Sequence, residues 1–379
     1  MIIAKIAITL CVFIIIMNML SMFLMTDKCK IKPQRKKTRL IEAPVSIVRP
    51  LKGIESFSYE TLSSLFCLDY SCYEIIFCVQ SDKDPIIPLV EGLIAAYPRR
   101  DAKLLIGDDR VSINPKLNNC IKGWEASRYE YIILSDSNVL APPDYIQTML
   151  VAFCENTALT ISMPIGSRPG SFWAIVECAI LNTFQARWQY GADAIGIGFA
   201  QGKNMMWRRE VLDRVGGIRA LGREVAEDAA ATKIVRAQNM RIRLVDMPFQ
   251  QPLGVRSFSE VYSRHARWAR LRRATFPWYY VPEFMNGSFV AVLSGAYAAY
   301  ACGFDPIIAP FSILFILYTG EIILAKRCGF YLSPLMPVAL FVRDLILPIM
   351  FIDGLIIDNF VWHGEEMSVK EENNVLGVG

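Results

Sequence analysis

The sequence has few of the residues on which histidine- and cysteine-based chemistry depends. Only His265 and His363 occur among its 379 residues, which excludes reactions built on several histidines. Its ten cysteines stand singly, without a CxxC pair, and most lie in apolar runs as reduced core thiols do. Neither a disulfide framework nor a zinc site is therefore expected. The formal net charge of +4 is mild, so no nucleic-acid partner is expected either.

Apolar residues, in contrast, are in excess. They make up 53% of the chain, and the mean hydropathy of +0.32 is too high for an ordinary soluble domain. Residues 2–25 are long enough to cross a bilayer as a helix and do not end in an A-x-A-like cleavage site, which predicts a retained anchor over 1–27. A basic linker follows at 28–44. By the positive-inside rule, this linker places the next domain in the cytosol.

The C-terminal third is apolar again, and a membrane region is predicted over 276–358, followed by a tail at 359–379. Its three hydrophobic segments are 284–303, 307–325 and 335–357. The first two fit a hairpin that leaves the cytosol and returns to it. The third contains Arg343 and Asp344, so an interfacial or re-entrant helix and a full span both stay open, as does the side of the tail.

Between these apolar ends, short β-rich runs alternate with mixed segments. The predicted strands are 45–51, 73–80, 102–108, 129–136 and 159–165. The predicted helices lie near 58–66, 85–97 and 117–127. This alternation predicts an α/β fold with a mostly parallel, Rossmann-like sheet, in a cytosolic domain over 45–275. In such sheets, ligands bind beyond the carboxyl ends of the strands.

Acidic residues at such ends, together with one basic-aromatic cluster, form the candidate site. Asp84 and Asp136 each follow a predicted strand, and Asp228 lies in a loop that leads into a predicted helix. The cluster at 263–273 contains Arg267. A nucleotide-sugar donor needs an acceptor for its uracil-ribose, an oxygen-ligated cation, fixed positive charge and a carboxylate base. Each feature alone also fits a helix cap, a turn or a headgroup-binding collar, but their ordered combination favours a site.

The motifs that carry this combination are specific. In chain order they are VRPLKG (48–53), LDYSCYEIIFCVQSDKDP (68–85), LLIGDDRVSINPKLNN (104–119), LSDSN (134–138), VLDRVGGI (211–218), AEDAAATK (226–233) and SRHARW (263–268). With them the chain resembles the ceramide glucosyltransferase family, glycosyltransferase family 21, a membrane branch of the family 2 type with a GT-A fold. The resemblance covers nearly the whole chain, including both apolar ends.

This resemblance implies a role for each matching residue. Asp84 resembles the aspartate near the nucleotide, Asp136 the metal-binding aspartate, and Asp228 the general base. The motif written (Q/R)xxRW, which helps to hold the diphosphate and the acceptor, is matched by Arg264, Arg267 and Trp268. The further substrate-binding residues that we assign are Asp82, Lys116, Asn118, Glu227 and His265.

A divalent cation, Mg²⁺ or Mn²⁺, is also implied, with Asp136 and Asn138 as its ligands. A full D-x-D motif would have a carboxylate at position 138, and an amide oxygen is a weaker ligand. Metal dependence is therefore an expectation that comes from the resemblance and not from a complete motif.

The implied reaction is an inverting transfer of a hexose, glucose before others, from a UDP-sugar to the primary hydroxyl of ceramide, which gives a β-glycosylceramide. The alternative is a family 2 transferase acting on diacylglycerol, a hopanoid or a polyprenyl phosphate. A non-catalytic sensor of nucleotide sugars is a further class. The expected location is a membrane, either a bacterial plasma membrane or an endomembrane, with the catalytic domain on the cytosolic face.

Overall fold

The computed structural model describes residues 1–29, 42–108, 110–362 and 365–369. The predicted basic linker and the predicted tail therefore lie partly outside the described residues. By its contacts the chain divides into two compact units. The helical unit comprises 1–29, 166–191 and the described part of 253–369, and the sheet unit comprises 42–165 and 192–252. The predicted boundary of 45–275 is contiguous, whereas these units are not.

The first half of the chain contains α1 (Ile2–Lys28), β1 (Val45–Pro50), α2 (Ser58–Ser63), β2 (Tyr73–Val79), α3 (Ile87–Ala96), β3 (Asp101–Ile106), α4 (Pro115–Glu125), β4 (Tyr131–Ser135), α5 (Tyr145–Val151), β5 (Thr157–Ile161), β6 (Pro164–Pro169), α6 (Phe172–Cys178) and α7 (Ala186–Ala194). The second half contains β7 (Asn204–Arg208), α8 (Arg209–Asp213), α9 (Glu227–Ala237), β8 (Arg241–Leu244), β9 (Phe249–Gly254), α10 (Phe258–Thr275), α11 (Pro277–Glu283), α12 (Phe289–Ala301), α13 (Ile308–Cys328), α14 (Met336–Ile356), β10 (Asn359–Trp362) and β11 (Glu365–Ser368). A π-helical stretch, Ala179–Gln185, joins α6 to α7.

The sheet unit contains a seven-stranded sheet of order β3-β2-β1-β4-β7-β5-β8. Strand β1 pairs in parallel with β2 and β4, while β7 runs antiparallel between β4 and β5. Both β1 and β2 are buried along their whole length, which explains their continuous apolar runs. The predicted α/β fold with a mostly parallel sheet is confirmed.

One predicted strand is divided in the structure. The run 159–165 contains the end of β5 and the beginning of β6, which pairs with β9 in a separate two-stranded sheet. Proline has no N–H to donate to a strand ladder, so Pro164 favours a break in the pairing at this point.

Within the described residues, two helices of the helical unit are long and apolar enough to cross a membrane, α1 and α13. They match the predicted anchor and the second hydrophobic segment. Helix α12 has only 13 residues, because the 3₁₀ turn Phe284–Asn286 and Gly287 precede it. At 1.5 Å per residue α12 is about 20 Å long, short of the ~30 Å of a hydrocarbon core. The predicted first arm of the hairpin, 284–303, is thus shorter as a helix than expected.

The charges that the sequence places in the third apolar segment are paired inside the protein. Arg343 and Asp344 of α14 are 1% and 6% exposed. Arg343 donates to Glu321 of α13 over 2.5 Å and to Asp344 over 2.7 Å. Glu321 also accepts a hydrogen bond from Thr183 at 2.7 Å and lies 3.7 Å from Arg187. These contacts offset the desolvation of the charged groups, so α14 can be a continuous helix in apolar surroundings.

We expect Glu321→Leu to lower the stability of the protein strongly. The substitution leaves the buried guanidinium groups of Arg343 and Arg187 without their shared carboxylate, which costs about 3–5 kcal/mol in comparable buried pairs. Thermal unfolding in detergent micelles measures the loss. The matched control is Glu210→Leu, which removes an exposed ion pair with Arg214 and is expected to change little. Equal effects of the two substitutions would contradict this account.

Candidate active site

Asp136 is the first residue beyond the carboxyl end of β4, and its carboxylate lies between two lysines. Its Oδ1 is 2.6 Å from Lys116 Nζ, and its Oδ2 is 2.7 Å from Lys203 Nζ. Burial alone would raise the pKa of Asp136, but the two ammonium groups outweigh it and hold the pKa well below its usual range. Asp136 is therefore a permanent carboxylate near neutral pH.

Lys116, in the first turn of α4, connects this carboxylate to a second one. Besides contacting Asp136, its ammonium lies 2.6 Å from Glu227 Oε1 and donates to the carbonyl oxygen of Gly202 over 2.7 Å. These three acceptors match the three N–H donors of a lysine. Burial would lower the pKa of Lys116, but Asp136 and Glu227 raise it well above its usual value. The charge of this half-buried ammonium group is therefore fully compensated.

Asp228 adjoins Glu227 in the first turn of α9, where the sequence predicted a loop that leads into a helix. Its Oδ2 accepts a hydrogen bond from the backbone N–H of Gly202 over 3.0 Å. Burial and then the negative charge of Glu227 raise the pKa of Asp228 to about 6, against a smaller lowering effect of Lys116. A carboxylate with such a pKa can accept a proton near neutral pH.

Asn114, for which the sequence pattern predicted no role, orients Glu227. Asn114 is the N-cap of α4: its side chain accepts from the N–H of Leu117 and donates to Glu227 Oε2 over 2.9 Å. An Asn directly before a Pro at the first helical position is a known helix start, so the cap could have been predicted. Its contact with Glu227 could not have been predicted, because it joins segments 113 residues apart.

Gly202, in the loop before β7, was also missed. Its N–H binds Asp228 and its carbonyl binds Lys116. A Cβ at this position would lie 2.8 Å from Glu227 Oε1 and 3.2 Å from Lys116 Nζ. Only glycine therefore allows the chain to pass this close to the charged groups. A single Gly in "FAQGKN" does not distinguish such a position from an ordinary turn.

Asp136 and Asn138 converge on one cationic group. The ammonium of Lys203 lies 2.7 Å from Asp136 Oδ2 and 3.3 Å from Asn138 Oδ1. Two oxygens that contact the same ammonium can also contact the same divalent cation, whose other ligands would be diphosphate oxygens and water. Among the described residues, no group of three or more His, Cys, Asp or Glu could hold a metal ion. The pair therefore fits a cation shared with a substrate and does not fit a closed all-protein site.

Three other predicted residues, Asp84, Asp82 and Asn118, lie in different surroundings. Asp84 accepts hydrogen bonds from the N–H of Gly53 at 3.0 and 3.1 Å, which links the chain after β1 to the chain after β2. Asp82 is exposed nearby. Asn118 uses its amide oxygen and nitrogen to hold the turn at 111–112. The substrate contacts assigned to these three residues stay predictions.

The residues of the (Q/R)xxRW motif lie on α10 in the helical unit. Arg264 donates to Glu177 over 2.8 Å, and the ring of Trp268 meets the buried ring of His265 edge-on at 4.9 Å. Burial and the charge of Arg264 lower the pKa of Arg267 to about 10, so Arg267 stays protonated at neutral pH. Their predicted contacts with substrate stay predictions.

The mixed, mostly parallel sheet gives the chain the GT-A fold. A mannosyltransferase, PcManGT from Pyrobaculum calidifontis in complex with GDP-Man and Mn²⁺, superposes with a TM-score of 0.55 at 14% identity, covering 90% of this chain and 99% of the other. The chain belongs to glycosyltransferase family 21, because residues 8–375 match the family model described as Glycosyl transferase family 21. The expected family and enzyme class are confirmed.

Named relatives agree with this family. Ceramide glucosyltransferase 1 of Caenorhabditis elegans is 26% identical over 341 residues, which cover 86% of this chain and 72% of the relative. A ceramide glucosyltransferase of Komagataella phaffii is 46% identical over 99 residues, covering 25% of this chain and 19% of that protein. The first similarity extends over most of both chains.

We expect Gly202→Ala to reduce turnover about 10²-fold or more without unfolding the protein. The added Cβ displaces the carboxylate of Glu227 or the ammonium of Lys116, and misplacements of about 1 Å have such effects on catalysis. Turnover and thermal unfolding are measured together. Gly92→Ala, on an exposed turn of α3 where a Cβ meets no described atom within 4 Å, is the matched control. Wild-type turnover in Gly202→Ala would refute the assigned role.

Proposed function

We propose that the protein transfers a hexose, glucose before others, from a UDP-sugar to the primary hydroxyl of ceramide with inversion at the anomeric carbon. The observation that carries the proposal is the contrast between two half-buried aspartates of one cluster. Asp136 is held ionised by lysines, whereas Asp228 has a pKa near 6. The names of the relatives in Caenorhabditis elegans and Komagataella phaffii support the choice of sugar and acceptor.

In the proposed reaction, Asp228 is the general base. Its carboxylate takes the proton of the acceptor hydroxyl while that oxygen forms a bond to C1 of the sugar. The bond from C1 to the diphosphate oxygen breaks on the opposite face, and UDP leaves with the electron pair. The hydrogen bond from Gly202 holds one carboxylate oxygen, and the raised pKa gives Asp228 enough basicity for this role.

The negative charge that develops on UDP needs positive partners. Asp136 and Asn138 would hold a divalent cation, which when bound supplies charge neutralisation at the diphosphate. Lys203, whose ammonium contacts both of these side chains, adds positive charge at the same place, while Lys116 holds Asp136 in position. Arg267 would contact the diphosphate in the way that the family motif implies.

The acceptor also determines where the reaction takes place. A ceramide leaves the bilayer only at the cost of exposing its chains to water, so the enzyme must work at a membrane surface. Helices α1 and α13 supply long apolar segments for attachment to that membrane. The sheet unit would lie on the cytosolic side, as the basic residues after α1 indicate.

We expect Asp228→Asn to lower kcat by about 10²–10⁴-fold, because the amide cannot accept the proton. The dissociation constant of UDP should stay nearly unchanged, since the side chain keeps its size and can still accept from Gly202. Mass spectrometry of the glycolipid product and calorimetric titration of UDP measure the two quantities. Asp213→Asn, at the exposed end of α8, is the matched control.

An equal loss of UDP affinity in Asp228→Asn would exclude the base assignment. Glycosylation of diacylglycerol, but not of ceramide, by the wild-type protein would exclude the proposed acceptor.

A further inference from the structure

The helical unit contains a pocket to which the proposed chemistry assigns no role. Its empty volume, counted with its open mouth, is about 560 Å³. Much of its wall is aromatic, with the rings of Phe184, Tyr280, Phe284, Phe289 and Phe351. Several wall residues are buried and others are half-buried. Its lining suits a hydrocarbon chain.

Four polar side chains also line the pocket, in two pairs that carry no net charge. Arg272 binds Glu283 through two hydrogen bonds of 2.9 and 2.7 Å. His265 is buried, which lowers its pKa below the usual value, and its Nδ1 lies 3.3 Å from Gln185 Nε2. A phosphate group would need an uncompensated cation at this place, whereas a neutral head group would not.

The contact with His265 occupies the amide nitrogen of Gln185. The amide oxygen of this half-buried side chain is therefore suited to accept a hydrogen bond from an O–H or N–H of a ligand. Ceramide offers both kinds of donor beside its two chains and carries no phosphate. A phospholipid carries a phosphate group, for which this lining offers no uncompensated cation.

The helices that line the pocket also place apolar side chains on the surface. Tyr280 and Glu283 of α11 face the pocket, while Trp278 and Tyr279 of the same short helix are 89% and 58% exposed. On α14, Ile349 is 56% exposed beside lining residues of the pocket. Exposed Trp and Tyr side chains are typical of the membrane–water interface. This part of the helical unit is therefore suited to contact with a membrane surface.

We propose that this pocket receives one hydrocarbon chain of the acceptor lipid and that Gln185, oriented by His265, hydrogen-bonds the neutral head group of that lipid. The assignment rests on the proposed function, since it takes the occupant to be the lipid that is glycosylated. It adds a site that selects the acceptor by chain length and by the absence of phosphate.

Gly287 offers a way to fill the pocket. It lines the wall, its backbone is extended at φ −86° and ψ −176°, and a Cβ built on it meets no described atom within 4 Å. Gly287→Phe therefore adds a ring to open space without backbone strain. Gly92→Phe, on the exposed face of α3 in the sheet unit, adds the same ring where it lines no part of this pocket.

The test uses ceramide that carries a photoactivated diazirine near the end of its acyl chain, with the full chain in nanodiscs. Peptide mapping of the wild-type protein is expected to find adducts within 280–289 and 347–351. Gly287→Phe should reduce this labelling about tenfold, because a loss of that size corresponds to about two methylene groups that are no longer buried. Gly92→Phe should leave the labelling unchanged. Asp228→Asn, which turns over far more slowly, should label as the wild type does.

A second measurement does not depend on filling the pocket. Gln185→Ala should raise KM for ceramide about three- to tenfold, the usual effect of one lost hydrogen bond, and leave kcat and KM for the UDP-sugar unchanged. A merely structural role would lower kcat or stability instead.

The outcomes separate the two proposals. Ceramide that is glycosylated but labels the chain elsewhere would overturn the pocket assignment and leave the proposed function intact. Equal labelling by a phosphatidylcholine with the same diazirine chain would overturn the acceptor as occupant and indicate a general membrane lipid. Labelling within the pocket by ceramide, in a protein that glycosylates no lipid, would overturn the proposed function and the acceptor identity with it.

Discussion

The site depends on the ion pairs made by one half-buried ammonium group, that of Lys116. It reaches carboxylates from two distant segments, Asp136 and Glu227, and the backbone of a third at Gly202. Without this cation, the two carboxylates would repel each other in surroundings of low dielectric constant. The ion pairs therefore determine which acidic groups can be ionised together. They also fix the loop before β7 against the first turn of α9.

This arrangement gives neighbouring carboxylates different tasks. Asp136 has a lysine on each oxygen and stays ionised, as a ligand for positive charge should. Asp228 has a backbone N–H as its partner and the negative charge of Glu227 beside it, so its pKa rises towards neutrality. Environments that separate the pKa values of nearby acids are a common way to divide acid–base roles in an active site. The sheet unit achieves this division with residues from the end of β4, the loop before β7 and the first turns of α4 and α9.

The helical unit applies the same physical rule to stability. Its buried Arg343 and Arg187 share Glu321, just as Asp136 and Glu227 share Lys116. In both units, a charged group is tolerated away from water because a partner of opposite charge lies within reach. Apolar helices that carry such pairs can pack together and still present apolar side chains outwards.

Much of the site could be predicted from residues that act through their own side chains at the ends of elements. Asp136 and Asp228 were found because a strand end and a helix start are visible in the local pattern. Three further residues were not found from the pattern. Gly202 acts through its backbone groups, and Asn114 and Lys203 act through contacts between segments that are far apart in sequence.

For the fold, the parallel strands followed from their buried apolar runs, whereas the reversal at β7 left no such local signal. The division of the chain into units was also hidden. Segments 166–191 and 253–275 belong with the helical unit, which only long-range packing reveals.

The pH dependence of kcat/KM for the lipid acceptor tests the central claim most directly. Asp228 must be unprotonated to act, and its pKa is raised to about 6, so activity should be present above that pH and lost below it. The account predicts a tenfold fall per pH unit below about pH 6 in the wild type, and no such limb in the residual activity of Asp228→Asn. A wild-type profile that stays flat from pH 7 to pH 4.5, or an unchanged limb in Asp228→Asn, would contradict it.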